Sequence, residues 1–300
     1  MIGIGMFVGD RAGKPAPRVP HISAATVAVS GLTATLSLNN TGGTIASTST
    51  AWGDGATDGS LTHTYASAGV YTVAVSATNA GGTGTVSLTA IAGLVATCNV
   101  AQAVAAGHVW SDAGMTVPAT TAGAAVLRLT DDAGVTWSFA GSGAILGNSG
   151  ASWWLTIDNG NYAGASISWT GTNGTMVQRF AANSMGNILR PMGNGDNYFR
   201  WSDDGFAYPY TFRALRLEGP FTAPNDVAAH TYSITSGTSN YVMRVDGTQV
   251  ASASSYWLSP TYFAIGHGSG PFKFFGAIVL PVELTGSALA AAEAYVTALG

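Results

Sequence analysis

The densest group of chemically capable side chains lies in residues 193–210. Four of its residues carry oxygen atoms of the kind that calcium binds: Asp196, Asn197, Asp203 and Asp204. Three carry flat aromatic rings: Trp201, Tyr208 and Tyr210. Such rings stack against the C–H surface of a sugar, while neighbouring polar groups bind its hydroxyls. This stretch is therefore a predicted carbohydrate-binding site, with calcium as a cofactor that its oxygens would suit.

The same stretch also has a structural interpretation, in which two surface turns are flanked by core aromatics. Its spacing does not match the twelve-residue calcium loop of an EF-hand. The sequence therefore leaves calcium as an alternative and requires no cofactor.

Adjacent aromatic residues occur twice more. Tyr256 and Trp257 lie in a serine-rich loop, residues 254–260. Neighbours on a strand point to opposite sides, so at least one of them is expected to be exposed and available to a sugar. Trp153 and Trp154 fall on a predicted strand, where packing against the core is the favoured interpretation.

Catalytic motifs are missing from the sequence. A glycoside hydrolase needs two carboxylates across the scissile bond, yet no glutamate lies between Glu218 and Glu283. Neither a Gly-x-Ser-x-Gly elbow nor a His-Glu-x-x-His zinc motif occurs, and the five histidines are scattered. We therefore predict that the protein is not an enzyme. A glycan depolymerase that uses Asp196, Asp203 or Asp204 remains the alternative.

The composition limits the fold and the partners. Only 9% of the 300 residues are charged and 40 are glycine, which favours many short strands and turns over long helices. A net charge of -4 without a basic run argues against nucleic acid. Cys98 is alone, so no internal disulfide forms, and its apolar neighbours predict a buried thiol. Polar residues interrupt the uncharged stretch between Asp58 and Asp112, so no membrane span is predicted.

The elements around residues 52–88 have a clear pattern. From Tyr71 to Ser76 apolar and small polar residues alternate, which predicts a half-buried strand. Residues 53–55, Gly-Asp-Gly, predict a tight turn that the Asp54 side chain caps. Residues 79–82 predict a hairpin into the following strand.

These residues resemble a polycystic-kidney-disease (PKD) repeat, an immunoglobulin-like sandwich. The family pattern is matched by Trp-Gly-Asp-Gly at residues 52–55, His-Thr-Tyr at 63–65, Gly-x-Tyr-x-Val-x-Val at 69–75 and Asn79. The resemblance implies a spacer or adhesion module over residues 21–93. It also implies that Asp54, His63 and Tyr65 build turns and core.

The sequence pattern of the rest of the chain predicts a second, larger β domain. Many short strand patterns are separated by Gly, Asn, Asp or Pro, and about 200 residues are too many for one immunoglobulin-type unit. Asp246-Gly247 predicts a hairpin turn. An alanine-rich segment after Leu284 predicts a helix that Thr285 or Ser287 caps and Gly300 ends.

This closing order resembles laminin-G-like and concanavalin-A-like jelly rolls. It includes His-x-Tyr-x-Ile at residues 230–234, Val-Asp-Gly at 245–247, Ile-Gly at 265–266 and Gly-x-Ile at 276–278, followed by the helix. Residues 109–120 also resemble a lead-in found in bacteriophage or gene-transfer-agent virion spike and fibre proteins. The resemblance implies carbohydrate or cell-surface binding by residues 107–300, with residues 94–106 as a linker. The predicted fold is all-β: an immunoglobulin-like PKD sandwich, then a concanavalin-A-like jelly roll with a short C-terminal helix.

Residues 1–20 are predicted to be an anchoring arm, because glycines and prolines interrupt regular structure there. The arm has an apolar head that would bind a capsid or tail protein, or a sister subunit: Ile2, Ile4, Met6, Phe7 and Val8. A disordered tail is the alternative. The N-terminus has no basic n-region, so it does not read as a secretory signal, and synthesis in the bacterial cytoplasm is expected.

Three functions remain open. The first is a structural and adhesive component of a phage or phage-like particle, a head spike or tail fibre, that binds host envelope glycan and forms a homo-oligomer. The second is a bacterial surface adhesin with the same modules. The third is the glycan depolymerase.

Overall fold

A computed structural model of the chain describes residues 16–158, 163–166, 173–182, 192–193, 198–201, 207–211, 215–216, 228–238, 240–253, 262–265 and 271–299. In the strands between residues 192 and 216, at 262–264 and at 241, 251 and 253, the description is of the backbone. The chain divides into two compact units. The first unit comprises Met1–Val27, Thr35–His63 and Thr72–Leu88; the second comprises Ala28–Ala34, Thr64–Tyr71 and Thr89–Gly300.

Seven strands precede residue 93: β1 (Ile22–Ser30), β2 (Thr33–Asn40), β3 (Ser47–Ala51), β4 (Thr57–Asp58), β5 (Thr62–Thr64), β6 (Gly69–Asn79) and β7 (Gly82–Ala92). They form two sheets, with the strand orders β1-β2-β5 and β4-β3-β6-β7. Alternation is clear in β6, where Val73 and Val75 are buried, as the sequence pattern predicted.

The elements that follow begin with β8 (Ala96–Asn99), α1 (Val100–Ala105), β9 (Val109–Trp110), β10 (Ala125–Val126), β11 (Arg128–Thr130), β12 (Thr136–Phe139), β13 (Ala144–Ser149), β14 (Ser152–Ile157), β15 (Ala163–Ser166) and β16 (Gly174–Ala182). They continue with β17 (Met192–Gly193), β18 (Tyr198–Trp201), β19 (Ala207–Thr211), β20 (Leu215–Arg216), β21 (Ala229–Ser236), β22 (Tyr241–Val245), β23 (Thr248–Ala253), β24 (Tyr262–Ile265), β25 (Phe272–Leu280) and α2 (Gly286–Thr297). All of them lie in the second unit.

Two antiparallel sheets build the second unit. The helix-covered sheet has the order β10-β13-β14-β25-β16-β21-β22-β23, and β8 also pairs with β25. The meander sheet has the order β20-β19-β18-β17-β24-β15-β12-β11-β9. One apolar core draws on both sheets, for example Leu155 and Phe274 from the first and Trp137 from the second.

Helix α2 covers the outer face of the helix-covered sheet. Its residues Leu289 and Val296 pack with Val177 and Ile278 of the sheet in a second apolar cluster. Strand β16 is therefore buried on both faces, because Met176 and Phe180 point into the main core. Helix α2 begins after Thr285, as predicted, although the Thr285 side chain makes no capping hydrogen bond. No helix among the described residues is long and apolar enough to cross a membrane.

The predicted fold class is confirmed: the chain is all-β, with an immunoglobulin-like sandwich, then a jelly-roll sandwich and a short C-terminal helix. Cys98, in β8, is buried, as predicted. Residues 94–106, the predicted linker, contain β8 and α1. Asn99 caps α1 by accepting a hydrogen bond from Gln102 N at 3.0 Å.

The described end of the predicted arm is attached to the first unit. Asn79 Nδ2 donates to the Arg18 carbonyl at 2.8 Å, and Gly43 N donates to the Val19 carbonyl at 3.2 Å. The arm backbone lies where a Cβ on Gly43 or Gly81 would overlap it, so these glycines permit the approach. The predicted anchoring residues Ile2, Ile4, Met6, Phe7 and Val8 lie outside the described residues.

Candidate functional site

The aromatic part of the predicted sugar site lies on two neighbouring strands of the meander sheet. Strands β18 and β19 are antiparallel, and their register pairs Tyr198 with Tyr210 and Arg200 with Tyr208. Because residues alternate between the two faces of a strand, Tyr208 and Tyr210 share one face of the hairpin. Trp201 pairs with Ala207, one step out of that alternation, and so belongs to the other face.

The four residues predicted as calcium ligands flank strand β18 in the sequence. Asp196 and Asn197 precede this strand, while Asp203 and Asp204 follow it. These four residues lie outside the described part of the chain, as do Tyr256 and Trp257.

Within the described ranges, no group of three or more histidine, cysteine, aspartate or glutamate side chains could hold a metal ion. Two histidines instead bind one aspartate each. His63 Nε2 lies 2.7 Å from Asp54 Oδ2, and His230 Nδ1 lies 2.6 Å from Asp246 Oδ2. Both pairs also hold a turn, so we interpret them as structural.

The Asp54–His63 pair belongs to the motif residues on which the family resemblance of the first unit depends. Asp54 Oδ1 accepts the Ala56 N–H at 3.0 Å, and the His63 ring stacks on Trp52 with 5.0 Å between ring centroids. The Ala56 N–H, followed by His63, lowers the pKa of Asp54. Gly53 and Gly55 have φ values of +89° and +100°, so the predicted glycine turn is present. Tyr65 is buried, as the resemblance implied.

The second unit contains a buried carboxylate in the turn between β11 and β12. Asp131 is 4% exposed and accepts four hydrogen bonds. The donors are Thr97 N at 2.9 Å, Ala133 N at 3.0 Å, Val135 N at 2.8 Å and Trp137 Nε1 at 3.1 Å. Burial raises the pKa of Asp131 to about 6, although these donors act in the opposite direction. Because its donors come from β8, from the β11–β12 turn and from Trp137, the Asp131 carboxylate joins β8 to that turn.

A polar network joins α2 to the strands beneath it. Buried Glu293 accepts a hydrogen bond from Ser233 Oγ at 2.6 Å, and its Oε1 also lies 2.9 Å from Arg244 Nε. One turn further along α2, Thr297 Oγ1 lies 2.7 Å from Thr231 Oγ1. Since the Glu293 carboxylate is paired and covered, it is not available as a catalytic acid or base.

The structure also shows a surface that the sequence analysis did not assign. Trp153 packs against the main core, whereas Trp154 lies on the opposite, outer face of the helix-covered sheet. Lys273 Nζ is 4.7 Å from the centre of the Trp154 ring, and Arg179 Cζ is 5.9 Å from the centre of the Phe275 ring. Alternation along β14 was the signal that could have separated the two tryptophans, but the neighbouring strand β25 is distant in sequence.

Comparison with solved structures gave matches of low similarity. A botulinum neurotoxin DC binding domain in complex with SialylT is 7% identical, with 64% of this chain and 50% of that chain covered and a TM-score of 0.45. A Trypanosoma rangeli sialidase in complex with 2,3-difluorosialic acid is 12% identical, with 77% and 44% covered and a TM-score of 0.46. The chain thus spans about half of the length of each. No curated protein sequence matched the chain.

The first sandwich matches at the level of sequence. The PKD1 domain of the Vibrio cholerae metalloprotease PrtV is 25% identical, with 25% of this chain and 96% of that chain covered and a TM-score of 0.23. The PKD domain family matches residues 21–92. The resemblance carried by Trp52, His63 and Tyr71 is therefore confirmed, and residues 21–92 are a PKD domain.

Proposed function

We propose that the protein is a structural and adhesive component of a phage or phage-like particle, a head spike or tail fibre, that binds host cell-surface polysaccharide. The observation that carries the glycan part is the register of β18 and β19, which pairs Tyr198 with Tyr210 and Arg200 with Tyr208. Two tyrosine positions next to an arginine position on one hairpin face combine the stacking and hydrogen-bonding groups that sugars need.

In this proposal the PKD domain is a spacer, and residues 1–15 anchor the chain to a capsid or tail protein. The attachment of Arg18 and Val19 to the first unit would give such an anchor a fixed point of departure. A homo-oligomer would present several copies of a weak site, and linked sites raise avidity by about 10²–10⁴.

The proposal includes no catalysis. The described carboxylates of Asp54, Asp131, Asp246 and Glu293 each accept hydrogen bonds from backbone or side-chain donors that stabilise the fold. A retaining or inverting hydrolase needs two carboxylates free to face the scissile bond, and these four are committed elsewhere.

The test combines binding and turnover in one tube. Purified protein is mixed with extracted envelope polysaccharide, with and without a calcium chelator, and both co-sedimentation and new reducing ends are measured. We expect retention without new reducing ends. New reducing ends would overturn the non-catalytic part, and absence of retention at high protein concentration would overturn the glycan part.

Site assignment uses a matched pair of variants. Tyr208→Ala should weaken retention by up to about tenfold, since a stacked aromatic contributes about 0.5–1.5 kcal/mol beyond its buried area. Tyr208→Phe keeps the flat ring and should retain most of the binding. Equal retention by Tyr208→Ala and the wild type would remove the β18–β19 hairpin from the site.

Detection of the chain in purified particles, rather than in the cell-surface fraction, tests the particle role.

A further inference from the structure

The outer face of the helix-covered sheet has a row of side chains outside the apolar cluster that α2 forms with the sheet. Leu155 and Phe274 are paired and point into the core, so the residues that alternate with them lie on the outer face. We call this row the Trp154 surface: Ile145, Trp154, Lys273, Phe275 and Arg179. It crosses four neighbouring strands, β13, β14, β25 and β16. Ile145 is 43% exposed, so the row is open to solvent at this end.

The aromatic part of this surface is held in place. The Trp154 indole lies over Gly147, where any Cβ would overlap Nε1 and Cε2 of the ring. Its Nε1 donates to Thr156 Oγ1 at 3.2 Å, and its ring centre is 5.9 Å from that of Phe275. A ring that is already fixed loses little conformational freedom when a ligand packs against it.

Neither cation of this surface forms a salt bridge with a carboxylate among the described residues, although the Asp246 carboxylate acts electrostatically on Arg179. Lys273, one of only two lysines in the chain, lies over Trp154, and Arg179 lies over Phe275. Within the described part of the chain Arg179 Nε is buried without a hydrogen bond, and Nη1 donates to Thr231 Oγ1 at 3.3 Å. Lys273 pairs with Ala181, two residues from Arg179 on β16, and the register shifts between Arg179 and Phe180.

We propose that the Trp154 surface binds a carboxylate-bearing sugar of an acidic polysaccharide. The carboxylate pairs with Lys273 and Arg179, and the C–H surface of the sugar packs against Trp154 and Ile145. Among the described residues neither cation has a directly bound carboxylate, so a sugar carboxylate would supply that acceptor, and charge-assisted hydrogen bonds are about twice as strong as neutral ones. The inference deepens the proposed function, on which it rests, by naming the class of polysaccharide and a second point of contact.

The test uses the full chain with immobilised polygalacturonate and, as a neutral probe with the same backbone, its methyl ester. Lys273→Gln should bind polygalacturonate about tenfold more weakly than the wild type, because it replaces a charged donor to the sugar carboxylate with a neutral one. Arg18→Gln removes one exposed positive charge from the first unit and should bind like the wild type. Wild-type binding should weaken as salt is raised and should be at least tenfold weaker for the methyl ester.

Gly147→Ala tests the same surface without changing charge. The added Cβ displaces the indole, so binding of polygalacturonate should fall several-fold, and near-ultraviolet circular dichroism should report the movement of Trp154. Wild-type affinity in Lys273→Gln, or equal binding of acid and ester, would overturn the inference. Envelope polysaccharide separates the two proposals: retention that does not depend on Lys273 supports the proposed function and overturns this site. Lys273-dependent binding of polygalacturonate without retention on envelope polysaccharide would support this site and overturn the glycan part of the proposed function.

Discussion

Each unit contains an aspartate that organises a turn, and the pKa values of the two aspartates are shifted in opposite directions. Asp54 accepts one backbone N–H and contacts His63 near the surface, and these partners lower its pKa. Asp131 accepts four N–H groups, yet its pKa rises to about 6 because it is buried. Loss of solvent therefore outweighs the larger number of hydrogen bonds at Asp131.

The comparison shows what each aspartate does for its unit. Asp54 shapes a loop whose groups water could also satisfy. Asp131 instead accepts hydrogen bonds from the buried Thr97 N–H of β8 and the buried Trp137 Nε1, and from part-buried N–H groups of the β11–β12 turn. The buried aspartate should therefore matter more for stability, even though its charged form is less favoured.

The largest expected effect follows from Asp131→Ala. It leaves buried donors unpaired, and each unsatisfied donor costs about 1–3 kcal/mol, so the free energy of unfolding should fall by about 4 kcal/mol. Urea unfolding measures the change. Asp132→Ala alters the exposed neighbour and should change the free energy by less than about 0.5 kcal/mol. Similar values for the two variants would break the contrast between buried and exposed carboxylates.

The second expected effect is that the stability contributions of Asp131 and Asp54 depend on pH in opposite directions. The folded pKa of Asp131 is raised from 3.8 to about 6, so the folded state binds more protons between these values. Protection around Asp131 should therefore be greatest below about pH 4 and fall by about 2–3 kcal/mol as the pH rises through 6. Asp54 has a lowered pKa, so its contribution is constant over this range and is lost only as the pH falls below 3.8.

Hydrogen exchange of peptides from β11–β12 and from residues 52–65, corrected for intrinsic rates, can follow both regions in one experiment. Protection in β11–β12 that stays level or rises between pH 4 and 7 would contradict the raised pKa of Asp131. The Asp131→Ala variant should show no such dependence in β11–β12 if it is folded.

The smallest expected effect is at the exposed pair. His63→Gln removes the ring that stacks on Trp52 and weakens the contact with Asp54. It should lower the urea midpoint by less than a third of the change in Asp131→Ala, since surface ion pairs contribute little. Asp54→Asn keeps an acceptor for Ala56 N and should cost still less. A larger loss in either variant than in Asp131→Ala would invert the comparison.

Local signals were sufficient for parts of the fold. The Asp246-Gly247 turn is present, with φ values of +46° and +78°, because a two-residue hairpin turn of this type needs positive φ at both positions. The alternation in β6 and the glycine turn at residues 53–55 were equally readable. In each case the determining interaction lies within a few residues of the chain.

Other elements could not be read in this way. Helix α1 has six residues and β13 contains Gly147, so neither has a strong pattern, and neither was predicted. Strand β8 exists because it pairs with β25, about 180 residues away in the sequence. The predicted sugar residues Trp201, Tyr208 and Tyr210 fall on one hairpin, but the register that gives Trp201 the other face was not readable from sequence.

The sequence by itself determined the all-β class, the PKD domain, the second hairpin-rich sandwich and the C-terminal helix. These follow from alternation, turn chemistry and a short motif, which act between residues near in sequence. Only the tertiary structure decided that Trp153 enters the core while Trp154 meets Lys273, and that Asp131 is buried. Both outcomes depend on strands brought together from distant parts of the chain, and on the water that this packing removes.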